Sequence, residues 1–141
     1  MLLMSRLVRF GVSMEEELLA RFDALIRELG YANRSEAIRD LVRERLVQKE
    51  WREGEEVVGV IILLYDHRKR ELSDELVELQ HHHHHLVIAT LHVHLDEANC
   101  LEILAVRGPG TELQRLAENL RSLKGVKHGQ LAATSTGRWL P

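Results

Sequence analysis

The stretch LVIATLHVHLDEANCLEILAVRG, residues 86–108, decides the architecture. Two apolar runs, 86–95 and 100–108, are joined by the short segment DEAN, and each has the length of a strand. Side chains alternate faces along a strand. Val87, Ala89, Leu91, Val93 and Leu95 make one uniformly apolar face, expected to lie under helices. Ile88, Thr90, His92 and His94 make the other. The turn folds the second strand back and brings Cys100 close to His94. Two imidazoles and a thiol then converge at the rim of the sheet face expected to be free of the domain's own helices.

Working outward, VVGVIILLYD (57–66) is a near-continuous apolar strand, expected to be buried on both faces. Leu72, Leu76 and Leu79 space a helix that runs to about His83. Thr111 to Leu123 reads as a second helix, with Leu113, Leu116, Ala117 and Leu120 inward, and Gly125 breaks it. VKHGQLAATS (126–135) is a last strand. The order β-α-β-β-α-β over residues 57–141 is that of a ferredoxin-like domain.

Residues 1–51 have a different rhythm. LVRFGVSM (7–14) alternates, with Val8, Phe10 and Val12 on one side and Leu7, Arg9, Gly11 and Ser13 on the other. Ser13 and Glu16 form a capping-box pattern for a helix with Leu18, Leu19, Phe22, Leu25, Ile26 and Leu29 inward, closed by Gly30. NRSE (33–36) opens a second helix with Ile38, Leu41, Val42 and Leu46 inward. A lone strand must find a partner for its backbone groups. None is nearby in sequence, so residues 1–51 are expected to fold as a dimer that pairs this strand with its own copy. WREGEE (51–56) is a polar break, with residues 52–56 as the hinge. The fold class is α+β.

Net charge is −3, and neither half is basic: residues 1–51 hold nine Lys/Arg and nine Asp/Glu, residues 52–141 ten and thirteen. Charge alone therefore does not argue for nucleic acid, and a DNA reading must rest on placed residues. No apolar run reaches membrane-spanning length, and MLLMSRL lacks the features of a signal peptide. A single cysteine cannot build a disulfide framework and suits a reducing compartment, the cytoplasm.

Cysteine binds metal as thiolate and histidine as the neutral base. That mixture suits nickel, copper or zinc and not calcium or magnesium. The run His81–His85 is internal, between an amphipathic helix and a strand, unlike a purification tag. A solvated helix end is the ordinary reading of any one of these five, although one can supply a fourth ligand. The helix bearing them is expected on the sheet face opposite His92 and His94, so that ligand is expected from a neighbouring subunit. Glu102 alternates onto the face of Cys100, as a carboxylate that orients a histidine N–H or as a plain strand-surface carboxylate. No recognised hydrolase spacing surrounds Glu97 or Glu102, and no enzyme is expected.

RSEAIRD (34–40), QHHHH (80–84), TLHVH (90–94), CLEI (100–103) and GVKHG (125–129) together resemble the nickel-responsive transcriptional regulators, the NikR family, over nearly the whole chain. The resemblance implies a ribbon-helix-helix domain followed by an ACT-like, ferredoxin-type domain, assembled as a homotetramer, a dimer of dimers. It implies Ni2+ held square-planar by His92, His94 and Cys100 with His81 of a neighbour, and Glu102 in the surrounding hydrogen-bond network. It implies a second cation, often K+, at positions matching Glu36 and Asp40, although a solvated salt-bridge face explains that pair equally well. It implies a palindromic double-stranded DNA operator read by a two-stranded ribbon, with Arg9, Gly11 and Ser13 outward and Asn33, Arg34 and Ser35 near phosphate. Gly11 departs from members with a polar side chain there and can make no side-chain base contact. The function implied is nickel-dependent repression of nickel-uptake genes. The alternatives are a nickel storage or delivery protein buffered by the histidine run, and a metabolite-sensing regulator with a structural metal. The strand-helix-helix opening argues against the first and the His/Cys set against the second.

Overall fold

The computed structural model describes residues 6–141. Backbone packing divides the chain into two compact units, one through Leu46 with Leu140–Pro141, the other Val47–Trp139.

The first unit carries α1 (Glu16–Glu28) and the start of α2 (Arg34–Arg52). The expected capping box is absent. The helix begins after Glu15, so Ser13 lies two residues outside the cap, and no side chain caps the end. Glu16 and Glu17 sit in the first turn, where the helix dipole favours negative charge. Gly30 closes α1 as expected: its φ is +83°, and its amide donates to the Arg27 carbonyl at 3.2 Å. Asn33 caps α2, its Oδ1 accepting from the Glu36 amide at 2.9 Å.

Residues 6–15, which include the expected strand 7–14, carry no ladder hydrogen bonds. A ribbon needs a second strand, and among the described residues every strand lies in the other unit. Leu7, Val8, Phe10 and Val12 are 63–83% exposed. Of the residues expected inward on α1, only Ile26 is buried, and Leu18, Leu25 and Leu29 are at least half exposed. On α2, Ala37 is buried, whereas Leu41, Val42 and Leu46 are exposed. An open apolar trough of about 930 Å3, lined by Val8, Phe10, Val12, Leu19, Phe22 and Ile38 among others, runs through this unit.

The second unit has β1 (Glu56–Asp66), α3 (Arg70–His82), β2 (Val87–His94), β3 (Asn99–Pro109), α4 (Gly110–Arg121) and β4 (Val126–Thr134). The four strands form one antiparallel sheet in the order β2-β3-β1-β4, the ferredoxin-like arrangement. Each element lies within two residues of its expected span.

Val57, Ile61, Leu63 and Tyr65 of β1 and Leu104 and Val106 of β3 face the helices and are buried with Leu72, Leu76, Leu113, Leu116 and Leu120. Each such leucine contributes roughly 1.5–3 kcal/mol relative to an exposed one. Val58, Val60, Ile62 and Leu64, on the other face of β1, are only half-buried, so burial on both faces is not what the chain by itself achieves.

Trp51, at the end of α2, belongs to this second core and is 3% exposed. Its Nε1 donates to the Thr134 carbonyl at 2.8 Å. Two glycines make room for it. A Cβ at Gly59 would stand 3.0 Å from the indole, and one at Gly110 would stand 2.7 Å from the Trp51 carbonyl oxygen and 2.8 Å from its Cα. The atoms facing Gly110 are backbone and cannot rotate away. Gly110→Ala is expected to lower unfolding stability by about 1–3 kcal/mol, read from denaturant titration at fixed protein concentration. An unchanged midpoint would show that the backbone yields there.

Candidate metal centre

The hairpin between β2 and β3 builds the centre. Its register pairs His94 with Cys100 and His92 with Glu102. Asp96 fixes that register at the turn. Its Oδ1 accepts from the amides of Ala98 at 2.9 Å and Asn99 at 2.7 Å, and the Leu95 amide donates to the Asn99 carbonyl at 2.9 Å. The Asn99 side chain, then the Asn99 and Ala98 amides, hold the Asp96 carboxyl down to about 2. Asp96→Ala removes the acceptor that sets the turn. It is expected to weaken metal binding ~10–100-fold, as losses of ligand-orienting groups do, measured by competition with a chelator. Asp96→Asn keeps an acceptor oxygen and should stay near the parent; equal losses in both would assign the effect to charge instead.

His92 and His94 share a face, as expected, but it is the helix-covered one. Cys100 and Glu102 are each 1% exposed and pair in register with Tyr65 and Leu63 of β1. Gln80 of α3 donates through Nε2 to Glu102 Oε1 at 2.6 Å, and Thr90 Oγ1 donates to Gln80 Oε1 at 3.3 Å. A cavity of about 270 Å3 is bounded by Tyr65, His92, His94 and Cys100 from the sheet and Ser73 and Val77 from α3. The helix bearing the histidine run therefore lies on the metal face, not opposite it. The central strands decide which face the helices cover, and β2, an edge strand, turns its apolar side to the open face. There Leu91 and Leu95 are 57% and 54% exposed. A bulge between Val87 and Ala89 moves Val87 off that side, opposite Val106.

His92 Nε2 stands 3.4 Å from Glu102 Oε1. The other carboxylate oxygen, Oε2, is buried and has no hydrogen-bond partner. Tyr65 lies beside both Cys100 and Glu102. Burial, then the Cys100 thiol and the Glu102 charge, push its phenol far above the ordinary value, so it stays protonated. His67, which sequence reasoning passed over, sets its ring edge-on to His94 with centroids 5.1 Å apart. Its only signal was position: it directly follows β1, whose Asp66 pairs with Asn99.

Among the described residues no group of three or more His, Cys, Asp and Glu side chains already stands where it could hold an ion. His81, exposed at the end of α3, is not brought to His92, His94 and Cys100 within one chain. The donors are nevertheless of the right kind. A buried free thiol, the imidazole of His94 in register with it, that of His92 on the same face in register with Glu102, and an orphaned carboxylate oxygen fit a soft or borderline divalent ion.

The residues assigned to DNA are all exposed, Arg9, Gly11 and Ser13 on the extended segment and Asn33, Arg34 and Ser35 at the start of α2. Asn33 is occupied as the helix cap. Arg34 forms a two-pronged pair with Asp23 of α1, both bonds 2.8 Å. Of the second-cation pair, Asp40 accepts from the Tyr31 hydroxyl at 2.9 Å and from Arg43 at 3.0 Å. Glu36 contributes its amide to the Asn33 cap.

Residues 8–49 match the ribbon-helix-helix proteins of the CopG family, and residues 58–134 match the NikR C-terminal nickel-binding domain. Three relatives assigned by name to the nickel-responsive regulators align over nearly the full length. That of Geobacter sulfurreducens is 56% identical over 97% of this chain and 99% of the relative. That of Nitratidesulfovibrio vulgaris is 52% identical over 96% and 98%, and that of Pyrococcus furiosus 51% over 94% and 96%. An uncharacterized Thermotoga maritima protein of known structure shares the fold, with a TM-score of 0.53 and 12% identity over 57% of this chain and 100% of that one.

Proposed function

This chain belongs to the nickel-responsive regulators, and from that membership we propose that it is a nickel-dependent, sequence-specific DNA-binding repressor of nickel-uptake genes. The observation that carries the reading is the hairpin register, which pairs His94 with Cys100 and backs His92 with Glu102. His92, His94 and Cys100 would hold the ion, with His81 of a neighbouring copy as the fourth donor. When bound, nickel supplies a centre that takes nitrogen and sulfur ligands together. Glu102 orients His92, and Gln80 ties α3 to Glu102 one residue before His81. Once His81 is engaged across the interface, the end of α3 is fixed, and the DNA-reading segments are held for the operator. Coupling of this kind is reciprocal, so operator DNA raises nickel affinity by the same factor.

The remaining parts of the reading follow the exposed surfaces. A second copy lays its own residues 7–14 beside these, making a ribbon over the apolar trough with Arg9, Gly11 and Ser13 outward. Asn33, Arg34 and Ser35 lie by phosphate at the start of α2. The half-buried sheet face with Leu91 joins dimers into a tetramer. The operator is palindromic because the ribbon is two-fold, and the compartment is the cytoplasm. Potassium at Glu36 and Asp40 would share Asp40 with the Tyr31 hydroxyl and Arg43, and nickel is proposed as the effector.

The test needs no known operator. Tag-free protein is incubated with fragmented genomic DNA, with one nickel per chain or with chelator, and the retained DNA is sequenced. Enrichment of a palindromic site only with nickel is expected, beside genes for nickel uptake. No enrichment in either condition would sink the repressor reading and favour storage or delivery.

A further inference from the structure

Lys127 sits where the ladder between β1 and β4 breaks. Leu64 pairs with His128 and Tyr65 with Val126, so Lys127 is the extra residue of a bulge and has no partner on β1. A bulge re-aims a side chain, and bulges gather beside functional sites. In the sheet, β1 lies between β4 and β3. The freed Lys127 side chain spans the end of β1, and its Nζ donates to Asn99 Oδ1 at 2.5 Å.

Asn99 joins the β2–β3 turn to Cys100. Its side-chain Nδ2 donates to both carboxylate oxygens of Asp96, at 3.2 and 3.0 Å. An ammonium can only donate and a carboxylate can only accept, so Lys127 and Asp96 together fix which way the Asn99 amide points. The His67 amide clamps the same turn from β1, donating to the Ala98 carbonyl at 2.9 Å. The Lys127 charge also reaches two carboxyls. It lowers that of Asp66 after the Arg68 hydrogen bonds, and that of Asp96 after the hydrogen bonds from Asn99 and Ala98.

The turn matters because β2 is an edge strand, paired with β3 alone. Its ladder already shifts register at the far end, between Val87 and Ala89. A slip of one residue would send His92 and His94 to the other face. The turn end is what holds them against Cys100.

We propose that Lys127 is a positioning residue for the metal centre: from the β4 bulge it locks the β2–β3 turn through Asn99, and so fixes His92 and His94 against Cys100. It acts through Asn99 and is not itself a ligand. The consequence for metal rests on the proposed nickel centre, whereas the lock on the turn is present without metal.

Full-length K127M keeps the stem of the side chain and removes the ammonium; K127R keeps a cationic donor. In metal-free protein, hydrogen exchange of the Leu95 and Asn99 amides, followed by NMR, is expected to quicken roughly 10-fold in K127M and to stay near the parent in K127R. In nickel-loaded protein, release to excess chelator, followed by the sulfur-to-nickel absorption, is expected to be ~10-fold faster in K127M and again near the parent in K127R. A lowered urea midpoint in K127M with parental exchange and release would make Lys127 merely structural and overturn the proposal. So would faster exchange with parental release, or K127R behaving as K127M does. A parent that takes up no nickel would sink the metal centre itself, and exchange in metal-free protein tells that failure from a failure of the lock.

Discussion

Cys100→Ala protein is expected to lose the sulfur-to-nickel charge-transfer absorption and, with it, nickel-dependent retention of operator DNA. Cys100 is the chain's one cysteine and is 1% exposed. It stands in register with His94, beside Tyr65 and one alternation from Glu102. Alanine fits that space, so folding should survive, and the small cavity left behind costs little compared with the lost ligand. What disappears is the only thiolate, leaving imidazoles that water and buffer compete with more easily. Far-ultraviolet circular dichroism should be unchanged while the absorption band and the DNA response vanish together. An unchanged band would remove Cys100 from the centre. A lost band with intact nickel-dependent binding would show that the response runs through other ligands.

Arg9→Ala is expected to abolish specific operator binding while nickel affinity without DNA stays at the parent value. Arg9 is exposed on the extended segment, with no hydrogen bond or ion pair described for it. Arginine reads a guanine edge through two hydrogen bonds worth ~1–3 kcal/mol. A ribbon carries two copies, so the loss amounts to roughly 30-fold to 10^4-fold in affinity. Fluorescence anisotropy on the enriched site, against a shuffled duplex and at fixed salt, separates lost specificity from lost charge. Retained preference for the site would exclude Arg9 as a main reader. Arg34 is a weaker candidate than its position suggested, because Asp23 already holds its guanidinium.

Local signals were legible where the physics is local. Asn33 caps α2 and Gly30 ends α1 because a side-chain acceptor and a positive φ act within a few residues. The hairpin was legible too, since alternation plus a short turn leaves one way to set His94 against Cys100. The covered face was not. The β2 pattern says which residues share a side, but β1 and β3 determine where α3 and α4 lie, and that depends on distant contacts. The expected strand 7–14 fails in one chain because its hydrogen bonds require a second strand. Ser13 was misplaced because helix start is set by where the backbone turns, and a capping box two residues early reads almost the same. His67 and the Arg34–Asp23 pair are long-range neighbours that no spacing rule announces.

The docking of Trp51 bears on how the molecule could be taken apart. The polar break at 52–56 looks like the natural place to cut, yet the residue just before it fills the core on its far side. A metal-binding fragment begun at residue 52 would lack the indole that lies over Gly59 and the N–H that holds Thr134. Emptying such a pocket costs about 3–5 kcal/mol, a large share of a small domain's stability. A fragment meant to report the intrinsic metal affinity of this domain should therefore begin at Val47 or earlier, so that it brings its own cornerstone with it.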